Sequence, residues 1–167
     1  AGKIITTAGL TSGIDGALHL IGKMTSEGTA ESVALGMEYN WNPASEFSRA
    51  GLADRYLPDG LRFGRARLRG AQAEMISTAG DTSHWEAKIL VSDPKSDKEI
   101  IDLLTQRLAA SKSSYAQKVA IAARSKASEL RWTFIDDQQH GWRGMASAAA
   151  AADAKDKFVL LLKVSRA

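Results

Sequence analysis

Cysteine is absent from the 167 residues. Its absence excludes a disulfide framework, a thiolate metal site and a cysteine nucleophile supplied by this chain. It says little about compartment, because cysteine-free chains occur in reducing and oxidising surroundings alike. No run approaches the ~18 consecutive apolar residues of a membrane span. Ala1-Gly2-Lys3-Ile4-Ile5-Thr6 lacks the apolar core of a signal peptide. The expectation is a cytoplasmic protein with no membrane contact. Histidine is scarce, and His19, His84 and His140 are too scattered to form a metal site. No metal and no cofactor are expected. No G-x-S-x-G elbow occurs, and no helix-turn-helix, zinc-finger or aromatic-rich RNA-binding signature is present.

What is present is ordinary globular composition, 44% apolar and 25% charged. A chain this long can bury about two-thirds of its unfolded surface, so it needs no metal or disulfide staple. The net charge of +3 is uneven along the chain. Residues 1–57 are mildly acidic, whereas Arg62, Arg65, Arg67 and Arg69 crowd into eight residues of a basic second part. Such a cluster could meet phosphate. Its plain reading is a solvated linker, and no nucleic-acid partner is expected.

The first part reads as α/β. Lys3 to Thr7 is a short β-branched strand, and Ala8 to Gly13 a small-residue loop with Thr11 or Ser12 able to cap a helix over 14–23. A second helix begins near Ser26 and carries an apolar stripe of Val33, Met37 and Trp41. A third runs from Ala44 to Tyr56, with Phe47 and Leu52 inward. Pro58-Asp59-Gly60 is a turn and the expected boundary, with 58–70 a basic linker.

Residues 71–167 read as a separate α+β domain, one helix packed on an antiparallel sheet. Strands over 72–78 and 84–92 form a hairpin, and a helix over 97–110 shows Ile100, Ile101, Leu104 and Leu108 on one face. Strands follow at 116–124, 129–136, 142–150 and 158–166. The alanine run from Ala146 favours helix by propensity, but its place between strand-like runs argues for strand. His84-Trp85-Glu86 beside Asp81 could rim a pocket, and Asp136-Asp137-Gln138-Gln139-His140 could attract a cation. The simpler readings are a hairpin bend and a polar loop.

Thr6-Thr7-Ala8-Gly9-Leu10-Thr11-Ser12-Gly13-Ile14-Asp15-Gly16-Ala17-Leu18-His19-Leu20 carries the most specific signal. It resembles the late strand-loop-helix of the ThiJ/PfpI superfamily, the class I glutamine-amidotransferase-like, flavodoxin-type fold. The family pattern T-x-x-G-x-x-x-G-I-D-x-A-L-H-L is met at every fixed position from Thr6. Ala30-Glu31-Ser32-Val33-Ala34, Met37-Glu38-Tyr39 and Ala53-Asp54-Arg55-Tyr56-Leu57 extend the likeness. By elementary chemistry Gly9 and Gly13 permit close backbone approach. Thr11 and Ser12 offer hydroxyls and amides at a helix start, where an oxyanion could sit, and Asp15 suits the helix dipole.

The resemblance implies that residues 1–57 are the C-terminal part of such a domain. Thr7, Ala8, Gly9, Thr11, Ser12 and Asp15 would line its pocket, Asp15 fixing the loop, and none would be catalytic. The family's cysteine elbow and N-terminal acidic residues are missing. Turnover of a small carbonyl or isonitrile-like compound is therefore expected only with an upstream cysteine-bearing segment or companion chain, and the partner expected is that companion or, otherwise, a second copy in a homo-oligomer. The alternatives are a truncated inactive fragment, or a non-enzymatic binding module with a cavity between the helix over 97–110 and the sheet.

Overall fold

The computed structural model describes residues 4–7, 9–45, 52–61, 72–92, 94, 96–112, 115–154 and 156–167. The chain divides into two compact units, 1–51 and 52–167, where the sequence reading placed its boundary at Pro58. The basic cluster Arg62, Arg65, Arg67 and Arg69 lies outside the described residues, as do Ala8 and Phe47.

The first unit is a helical pair. α1 spans Leu10–Met24, starting four residues before the expected position. It starts early because Ser12 closes its first turn. The Gly9 N–H donates to Ser12 Oγ at 2.7 Å, and that hydroxyl donates back to the Gly9 carbonyl at 3.0 Å. This satisfies a backbone group that a helix start leaves open. α2 spans Glu27–Gly36, with Ser26 accepting from the Thr29 N–H at 3.2 Å. Leu18 of α1 and Ala30 and Ala34 of α2 are its buried apolar residues.

Three expectations fail here. Residues 4–7 form no strand: a parallel strand exists only by hydrogen bonding to neighbours, and no described residue pairs with them. The flavodoxin-like sheet expected of residues 1–57 is thus not among the described elements. The inward side of α2 is Ala30 and Ala34, while Val33 and Met37 are exposed; small residues let α1 come close, and Gly22 lies opposite Ala30. A continuous helix over 44–56 is also absent. Ala44 and Ser45 are not helical, Leu52 is extended at φ −66° and ψ 139°, and Ala53–Tyr56 is a 3₁₀ turn that belongs to the second unit.

The second unit is α+β, as expected. Its strands are β1 (Ala73–Gly80), β2 (His84–Ser92), β3 (Ala116–Ile121), β4 (Glu129–Asp136), β5 (Gly141–Ala150) and β6 (Lys157–Arg166), with α3 (Asp97–Ala110) between β2 and β3. The order is β1-β2-β6-β5-β4-β3 and every neighbouring pair is antiparallel. The β3–β6 meander thus returns beside β2. Both edge strands are bulged, between Met75 and Ser77 in β1 and between Gln117 and Ala120 in β3.

Register decides which face is buried, because side chains alternate along a strand. Pairing Ala87 with Leu162, Leu162 with Ala146 and Ala146 with Leu130 makes one apolar rung across four strands. The next rungs set Ile89 beside Leu160 and Ala148, and Trp132 beside Gly144 and Val164. All are buried. α3 packs chiefly over β5, whose inward Gly144, Ala146 and Ala148 leave room for Ile100, Ile101, Leu104 and Leu108. This resolves the alanine run as strand: tertiary packing overrides its helix propensity. Tyr56 stacks on Trp142 at 5.1 Å and Trp142 on Phe134 at 6.2 Å between ring centroids, extending the core under the 3₁₀ turn.

Gly144 is required by close approach. A Cβ there would run into the indole of Trp132, which is itself fully buried. Gly144→Ala should therefore destabilise the second unit by about 1–3 kcal/mol, the usual cost of overpacking, read as a lower denaturant midpoint at unchanged slope.

Candidate functional site

Of the residues singled out by the ThiJ/PfpI resemblance, Thr7, Gly9, Thr11, Ser12 and Asp15 lie at the start of α1. Thr7 seats against the helix at Gly16, where an added Cβ would lie 2.5 Å from Thr7 Cγ2. Gly16 is thus the glycine that close approach demands. Gly9 is extended, at φ −149° and ψ 177°, and a Cβ added at Gly13 would meet Thr7 Oγ1 at an ordinary 3.8 Å. Ser12 is spent on the helix cap, and Thr11 is exposed.

Asp15 sits beyond the first turn of α1, which holds no acidic residue, so the expected dipole role passes to a hydrogen bond. The Tyr39 hydroxyl donates to Asp15 Oδ1 at 2.9 Å, joining α1 to the segment after α2. That bond raises the Tyr39 phenol above its ordinary value, because losing the proton would break it and set two anions together. In the sequence Tyr39 stands only at the end of the α2 stripe and within the resemblance, with nothing to pair it with Asp15. A cavity of about 290 Å³ in this unit is lined by His19, Gly22, Lys23, Glu27, Trp41 and Pro43, none of them among the six expected pocket residues.

In the second unit, buried side chains of the described residues fill the space between α3 and the sheet, where the binding-module alternative places its cavity. A cavity of about 450 Å³ lies on the opposite face, over β4, β5 and β6. Outward alternation brings Arg131 and Thr133, Arg143 and Met145, and Lys163 and Ser165 to it. Two rungs cross it, Arg131–Met145–Lys163 and Thr133–Arg143–Ser165. Arg131 is bonded to Glu129, and Lys163 Nζ lies 2.9 Å from Glu86. The hydrogen bond from Lys163 holds the Glu86 carboxyl below its usual range. Composition could not disclose this set, since the residues are ordinary and only strand register unites them.

The other polar clusters prove structural. Asp136, buried at 1% exposure, closes the β4–β5 turn by accepting from the Gln138 and His140 N–H groups, His140 Nδ1 and Trp142 Nε1 at 2.8–3.1 Å. Burial alone would raise its carboxyl, but the bonds from Trp142 and His140 outweigh it and hold the group below its ordinary value. Asp81 does the same for the β1–β2 turn, accepting from the Ser83 and His84 N–H groups at 2.7 and 2.9 Å. Among the described residues, no group of three His, Asp or Glu side chains could hold a metal ion, and no helix is long and apolar enough to cross a membrane.

No protein-family model matches the chain, and no curated protein matches it significantly. Among solved structures, the crystal structure of DR_A0006 from Deinococcus radiodurans is similar at 10% identity and a TM-score of 0.26, over 55% of this chain and 58% of that one. A likeness that weak carries no argument about fold or function.

The turn at Asp81 yields a pH test. Hydrogen bonds from the Ser83 and then the His84 backbone N–H bring its carboxyl down to about 2. The folded value lies below the unfolded one, so its stabilisation is complete above ~4 and lost as pH falls through about 2. The Asp81 carboxyl carbon should titrate there by NMR, and Asp81→Asn should remove that part of the acid response. A midpoint near the ordinary aspartate value would show that the turn does not hold the carboxylate.

Proposed function

We propose that the first unit is the C-terminal part of a ThiJ/PfpI-like domain, completed by a cysteine-bearing upstream segment or companion chain. The joint pocket would act on a small carbonyl or isonitrile-like compound. One observation carries the reading beyond the motif: α1 has two apolar faces and only one is covered. Leu18 faces the α1–α2 interior, whereas Leu10, Ala17, Leu20 and Met24, spaced along the opposite side, are exposed, as are Ile4 and Ile5 before the helix. Leu10 is 87% and Met24 82% exposed. A strand-forming sequence followed by such a helix is what the edge of a parallel sheet would bury.

In this reading Thr7, Ala8, Gly9, Thr11 and Ser12 border the pocket. Asp15 holds the first turns of α1 in place through Tyr39. The nucleophile comes from the companion, where a cysteine thiol would give up its proton as its sulfur attacks the electrophilic carbon of the substrate, that proton passing to the developing anion.

The test is the intact mass of the native protein, together with hydrogen exchange at Ile4 to Thr7. A cysteine-containing companion that slows exchange of these amides is the expected result. Turnover of the joint species should then be lost when the companion's cysteine is replaced by serine. A lone chain with freely exchanging amides at Ile4 to Thr7 would overturn the reading.

Independently of turnover, Tyr39→Phe should loosen the contact between α1 and the segment after α2. The expected signature is faster exchange at the start of α1 with the second unit unchanged. Unaltered exchange would remove Asp15 from the positioning role.

A further inference from the structure

We infer that the outer face of the β4–β5–β6 sheet is a binding site for a small organic monocarboxylate, with Arg143 as the residue that takes the carboxylate. This goes beyond the proposed role of the first unit and rests only on the second. The cavity's volume of about 450 Å³ lies within the ~300–1,000 Å³ usual for small-molecule sites.

Its charges are arranged unequally. Arg131 is neutralised by Glu129 and Lys163 by Glu86. The Arg143 guanidinium has neither a hydrogen bond nor an ion pair among the described residues. Of the three cations that line the cavity, Arg143 is the one whose charge no carboxylate among the described residues meets. That balance suits a monoanion. A dianion such as phosphate would meet the Glu86 and Glu129 carboxylates with its second charge.

The neighbours of Arg143 complete the argument. Thr133 and Ser165 are its direct cross-strand partners on either side, at the ~5 Å Cβ spacing of opposed residues. Both hydroxyls can donate to an anion held by the guanidinium fork, which matches a carboxylate in two parallel bonds. Two residues along β5, Met145 lines the same cavity with Ala122 and supplies an apolar floor. Methionine adapts to irregular apolar shapes. The site therefore presents one anion anchor, two flanking hydroxyls and an apolar bed, the features of a carboxylate joined to a compact hydrocarbon body.

The test uses benzoate as probe on the full chain, by isothermal titration, with benzamide and inorganic phosphate as comparisons. The expected result is saturable one-to-one binding of benzoate, at least tenfold weaker in Arg143→Gln, with benzamide and phosphate both weak. Arg131→Gln should cost less than Arg143→Gln, because its charge is already paired. Arg143→Lys should restore part of the affinity but not all, since an ammonium lacks the fork. Arg143 is exposed, so each variant should keep the circular dichroism of the intact sheet. The inference is overturned if wild-type protein does not bind benzoate saturably, if Arg143→Gln binds it equally well, or if benzamide or phosphate matches it.

Discussion

The second unit is built around the fit of Trp132 into the space left by a missing side chain at Gly144. Antiparallel pairing of β4 with β5 puts these residues opposite each other, and the indole lies where any Cβ would have to be. A one-residue slip would carry Trp132 to the outer face and bring Arg131 and Thr133 inward, at the cost of burying a charge. The same register makes rungs of Leu130, Ala146, Leu162 and Ala87 and lets α3 settle over the small side chains of β5. It also assembles the outer face. Arg143 stands between Thr133 and Ser165 for the same reason that Trp132 stands over Gly144.

Most of the second unit was legible in the sequence. β2, β4 and α3 begin and end where periodicity places them, because their buried residues recur at two-residue or helical spacing without ambiguity. Ile100, Ile101, Leu104 and Leu108 are all buried. The alanine run was harder, since alanine carries almost no pattern of its own and its state depends on what lies above it. The cavity was not legible: alternation shows that Arg131, Arg143 and Lys163 point outward, but not that they meet. That requires the strand order, in which β6 lies beside β5 and also beside β2.

The first unit was legible only in its helices. Ser26 and Ser12 mark helix starts as serine often does, although Ser12 acts from inside the first turn. The strand over 3–7 was read from β-branched residues, yet strand structure comes from partners more than from composition. The extended segment instead meets α1 through Thr7 and Gly16. The stripe read on α2 favoured large apolar residues, whereas close helix packing selected Ala30 and Ala34. Each miss has one physical origin: local sequence reports what a segment can bury, and the neighbour decides which part it does bury.

The bulges bear on how this sheet meets other chains. An edge strand with regular, free backbone groups invites another strand to extend the ladder. Here β1 shifts register at Ile76, and β3 does so around Lys118, whose φ of 51° turns the backbone out of the extended conformation. An incoming strand could not keep in step past either point. Growth of the sheet by addition at its margins, whether into fibrils or into edge-paired dimers, is thereby discouraged at both ends. Recognition is left to side chains standing on a sheet of fixed width.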